Sequence, residues 1–104
     1  MKRLNMKVIT CQSLDDVRTN IDRIDQELIR LISERSNFVD KAAQFKKTES
    51  EVEAPKRVEQ VITKVRGLAQ KENLNPDIAE SIYRAMITAF IQQEKSKLKE
   101  LEDE

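Results

Sequence analysis

Residues 13–45 read SLDDVRTNIDRIDQELIRLISERSNFVDKAAQF. Apolar residues recur in steps of three and four, at Leu14, Val17, Ile21, Ile24, Leu28 and Leu31, and again at Phe38, Ala42 and Phe45. That is the spacing of a heptad seam on one continuous helix. Ser13 supplies an N-cap, and Asp16, three residues on, a weak form of the capping box. Carried over about 32 residues, at ~1.5 Å per residue, the seam is roughly 48 Å long. One small domain cannot cover such a helix, so a second chain is expected against it, most simply another copy.

Working outward, the chain of 104 residues has one Gly and two Pro, so helix is the natural reading of almost everything and the few breakers mark boundaries. The polar stretch Lys46 to Glu53 reads as a loop into which the first helix frays some way. Pro55 suits the first turn of a second helix, with a buried stripe of Val58, Val61, Ile62, Val65, Leu68 and Ala69. Gly67 inside it costs about 1 kcal/mol relative to Ala. Asn73 closes this helix in the left-handed conformation, and Asn75-Pro76-Asp77 gives the next one an N-cap, a first-turn proline and an acid at its positive end. The third helix runs from Pro76 to the high 90s, and the acidic tail frays. The expectation is all-α: one long helix and two shorter ones, with residues 1–12 an extension, 13–99 the helical domain and 100–104 a tail.

Composition excludes several function classes. The sequence has 19 Lys+Arg against 19 Asp+Glu, one Cys and no His. A Ser-His or Cys-His nucleophile, a His-based metal site, an internal disulfide and a thiolate cage are thus ruled out. One Gly leaves no phosphate-cradling loop. Zero net charge and four aromatics argue against a nucleic-acid partner. No apolar run approaches the roughly 20 residues of a membrane span. The start, Met1-Lys-Arg-Leu-Asn-Met-Lys7, has the charge of a signal peptide but no apolar stretch after it, which predicts a cytoplasmic protein.

Two charges interrupt apolar stripes. After Leu31 the seam steps onto Arg35, which either pairs with a carboxylate across an oligomer interface or faces an anion in a cavity. On the third helix Ile87, Ile91, Glu94, Leu98 and Leu101 step by four and three, so Glu94 is either the end of the buried stripe or a functional acid within it. Lys46 lies three turns beyond Arg35 on nearly the same face, and Arg18 flanks the seam near its start. Taken singly, Arg18, Lys46 and Arg57 read as solvated charges. Arg18 and Arg35 are roughly 25 Å apart along one axis, so one small ligand meets both only if a second helix runs antiparallel to the first.

Asp16-Val-Arg18, Asp22-Arg-Ile-Asp25, Arg35, Phe45-Lys46, Pro55-Lys-Arg57 and Glu94, in this order and spacing, resemble the all-helical chorismate mutase family. Ile21-Asp-Arg-Ile-Asp25, Lys41-Ala-Ala-Gln-Phe-Lys46 and Ala54-Pro-Lys-Arg-Val58 look most like its branch containing isochorismate pyruvate lyases. The resemblance spans about residues 13–99. It implies three helices per chain in an intertwined homodimer with the long helices antiparallel. It also implies a dicarboxylate substrate, chorismate or isochorismate, and no cofactor. By the same resemblance Arg57 and the partner's Arg18 hold carboxylates, Arg35 also contacts one, and Lys46 meets the ether oxygen together with Glu94. Guanidinium forks suit planar carboxylates and an ammonium suits a single oxygen.

The resemblance also marks departures. Mutases of the family often carry carboxylates near the second helix start, where this chain has Ala54 and Val58, an apolar pair that fits the lyase branch. Position 94 is usually glutamine in the family, and Glu94 donates a hydrogen bond only when protonated. The expectation is a buried pocket that keeps it protonated, with activity falling as pH rises above neutral. Chorismate mutase is the first functional expectation and isochorismate pyruvate lyase the second. A non-catalytic helical dimerisation module is the alternative of another class, in which Arg35→Leu stabilises the dimer at no other cost.

Overall fold

The computed structural model describes Val8 and residues 10–103. The charged start, apart from its neighbour Val8, and the last residue of the acidic tail lie outside the described residues. From Leu14 onward the chain forms four helices: α1 (Leu14–Ala43), α2 (Glu49–Glu53), α3 (Pro55–Lys71) and α4 (Pro76–Asp103). Among the described residues there is no strand. The chain divides into two compact units, the first ending at Phe38 and the second beginning at Val39.

α1 starts where its cap predicts. The Asp16 N–H donates to Ser13 Oγ at 3.0 Å, and the Asp16 carboxylate accepts from the Gln12 N–H at 3.1 Å. None of its side chains is buried within the chain. Leu14, Val17, Ile21, Ile24, Leu28, Leu31 and Phe38 all remain substantially exposed, Phe38 at 71%. The seam is therefore present as a surface.

In the second unit the stretch read as a loop holds α2. Thr48 caps it, accepting from the Glu51 N–H at 3.2 Å, while the Glu51 carboxylate accepts from the Lys47 N–H at 3.0 Å. This is a variant of the capping box in which Glu51 reaches the residue before the cap, and Val52 within the helix is buried. Ala54 then takes a left-handed conformation (φ 37°) and passes the chain to Pro55 at the start of α3. A single residue thus ends one helix and begins the next.

α3 and α4 form a hairpin around Val65, Ala69 and Ala79, with Val61 and Tyr83 packed against them. Ile62, Val65 and Ala69 are buried as the stripe requires, whereas Leu68 is 49% exposed. Asn73 adopts φ 59°, and the Leu74 N–H reaches back to the Ala69 carbonyl at 2.9 Å, closing α3 in the expected left-handed way. Asn75 Oδ1 accepts from the Asp77 N–H at 2.9 Å and opens α4. α4 runs 28 residues to Asp103, nearly matching the 30 of α1, because no breaker follows Pro76 and its last turns are rich in the helix formers Lys, Leu and Glu. Across the hairpin Arg84 bonds both Glu59 carboxylate oxygens at 3.0 Å and Glu80 at 2.7 Å. Arg66 reaches Asp77 and Glu80 at 3.0 and 2.9 Å.

Candidate active site

Lys46 lies in the tight turn that ends α1, where its N–H donates to the Ala43 carbonyl at 3.0 Å. Glu94 projects from the middle of the second half of α4. The two are 48 residues apart in sequence, yet Lys46 Nζ lies 3.3 Å from Glu94 Oε2. The Glu94 side chain is only 6% exposed and that of Lys46 25%. An unpaired carboxylate so enclosed would cost several kcal/mol, and the ammonium offsets that cost. Glu94 is therefore within the buried stripe and not at its solvated end.

The other sequence candidates are placed as follows. Arg57 is solvent-exposed in the first turn of α3, in the same unit as Lys46 and Glu94. Arg35 is half-buried on α1, and Arg18 is exposed near its start. Both belong to the first unit.

Membership follows from the whole pattern of residues. The sequence model described as chorismate mutase type II matches residues 17–95 of this chain. The chain belongs to the chorismate mutase type II family. Arg18, Arg35, Lys46, Arg57 and Glu94 all fall inside the match. The chain is 29% identical over 84 residues to a Pseudomonas aeruginosa protein named isochorismate pyruvate lyase, covering 81% of this chain and 83% of that protein. It is 25% identical over 93 residues to a Methanocaldococcus jannaschii protein named chorismate mutase, covering 88% of this chain and 94% of that protein.

Within this chorismate mutase type II chain, sequence reading missed two ion pairs that flank the Lys46–Glu94 contact. Lys95 Nζ lies 2.6 Å from Glu53 Oε1, and Lys97 Nζ lies 3.4 Å from Asp40 Oδ1. Their partners are 42 and 57 residues apart, and no local spacing rule links such positions. Sequence reading also missed α2, for which Thr48 with Glu51 three residues on was the available signal. Among the described residues no helix is long and apolar enough to cross a membrane.

Proposed function

We propose that this chain is a chorismate mutase, converting chorismate to prephenate by a concerted rearrangement. One C–O bond breaks and one C–C bond forms, so the reaction calls for no nucleophile, metal or cofactor. The observation that carries the reading is the buried Lys46–Glu94 pair, 3.3 Å apart, inside a family match that spans residues 17–95. The ammonium of Lys46 stabilises the negative charge that develops on the ether oxygen in the transition state, within a site that excludes most water. Glu94 contacts the same oxygen beside Lys46, and donates a second hydrogen bond to it only when it carries a proton. Arg57 and the partner's Arg18 hold the carboxylates, Arg35 also contacts one, and together they keep the substrate in its compact reactive conformer, which lowers the entropic part of the barrier.

The site is completed by the partner's Arg18 in a homodimer whose α1 helices run antiparallel. The support is physical. The apolar seam of α1 has no buried side chain within its own chain, and a second seam of the same spacing is the surface that fits it. Antiparallel pairing also removes the roughly 25 Å that separates Arg18 from Arg35 on one helix.

Isochorismate pyruvate lyase activity is the second reading. It is favoured by the apolar Ala54 and Val58 at the start of α3 and by the similarity to the protein of that name. A product assay with purified protein decides between them: prephenate from chorismate supports the first, and salicylate with pyruvate from isochorismate the second. Turnover of neither substrate by a folded dimer would overturn both and favour a helical dimerisation module.

A further inference from the structure

The functional reading leaves the ion pair beside the site unused. Lys95 directly follows Glu94 on α4, and its ammonium is bound at 2.6 Å by Glu53, the last residue of α2. That hydrogen bond holds the lysine above its ordinary pKa, with the Glu53 charge and that of Glu49, also on α2, adding to it. α2 packs against α4, and its Val52 is buried. Its first turn grips the backbone next to Lys46: the Glu51 carboxylate takes the Lys47 N–H at 3.0 Å. A continuous chain of contacts therefore runs from Lys95 through Glu53 and the five residues of α2 to Lys47. It ends one residue from the lysine that meets Glu94.

We propose that the Glu53–Lys95 pair is a brace that sets the position of Lys46, making Glu53 and Lys95 positioning residues of the active site. The inference rests on the proposed role of Lys46 at the substrate's ether oxygen. Lys46 stands in a short turn on a flexible four-carbon stem, so its ammonium is only as well placed as the backbone behind it. Two attachments on successive residues of α4, Glu94 to Lys46 and Lys95 to Glu53, fix both ends of the 46–53 segment to the same turn of one helix. The pair is partly exposed, which limits its effect to about three- to fivefold in rate.

Hydrogen exchange and turnover test this on the full-length chain. Glu53→Ala and Lys95→Gln are each expected to speed amide exchange across residues 44–54. The swap of Glu53→Lys with Lys95→Glu is expected to restore protection. Each single variant is expected to lower kcat about three- to fivefold at unchanged melting temperature. In a Lys46→Ala background Lys95→Gln should add no further loss, because it acts through Lys46. Unchanged exchange in both single variants overturns the brace. Faster exchange with wild-type turnover, while Lys46→Ala is inactive, overturns the positioning role. If Lys46→Ala turns over like wild type, the assignment of Lys46 itself fails, and the exchange result alone decides whether the brace exists.

Discussion

Lys46 and Glu94 form one ion pair, and single substitutions separate the roles proposed for them. Lys46→Ala removes the charge proposed to face the substrate's ether oxygen and is expected to lower kcat by about 10²- to 10³-fold, with a smaller effect on KM. Steady-state kinetics on the product-forming substrate checks it. Glu94 poses a subtler question, because a carboxylate accepts and does not donate. If it serves as a donor, Glu94→Gln, which donates without a charge, keeps most of the turnover, whereas Glu94→Ala loses about tenfold. Equal losses in the two variants would show that Glu94 does not donate. The burial of Glu94 was foreseeable from its place in the Ile87–Leu101 stripe. Its partner was not, since only the fold brings position 46 to position 94.

The helical elements carry predictions of stability. Gly67 sits mid-way along α3, and a Cβ there meets nothing within 4 Å. Gly67→Ala should therefore stabilise the fold by about 1 kcal/mol, read by chemical denaturation. The α3–α4 hairpin should weaken in acid. Hydrogen bonds from Arg84 hold the Glu59 carboxyl below its ordinary pKa, and those from Arg84 and then Arg66 do the same for Glu80. Groups lowered on folding contribute at neutral pH, and that contribution is lost as pH falls through their folded-state values. Melting temperatures at pH 7 and pH 3 should differ more for the wild type than for Arg84→Met, which lacks the Arg84 bonds and keeps only that of Arg66. Caps and breakers made most of these elements legible. Ser13, Pro55, Asn73 and Asn75 act where their chemistry predicts, and α2 escaped because a five-residue helix carries too short an apolar period to register.

At the scale of the molecule the prediction concerns who supplies Arg18. If each site joins the partner's Arg18 to Arg35, Lys46 and Arg57 of one chain, then Arg18→Ala and Arg57→Ala are both inactive alone. Co-refolding them in equal amounts makes half the dimers mixed, each with one intact site, and should return about a quarter of wild-type activity. No recovery despite mixed dimers would mean that Arg18 serves its own chain's site. The exposed seam of α1 makes the same point energetically. A row of half-exposed Leu, Ile and Val gains from burial at roughly 25 cal/mol per Å² when a second copy covers it, so dilution should lower the stability of α1 first.

What the sequence determined is what local rules govern: helix from the scarcity of Gly and Pro, the α1 seam from its three-and-four spacing, boundaries from caps, and the excluded chemistries from the missing His. These follow from neighbours within a few residues, where side-chain period and hydrogen-bond chemistry act directly. Only the tertiary structure decided that Lys46 meets Glu94, that α2 is pinned through Glu53 to Lys95, and that Leu68 stays at the surface while Ala69 is buried. Each of these depends on where a helix 40 or more residues away, or across a hairpin, comes to rest. That placement is set by packing of the whole second unit, which no local spacing encodes.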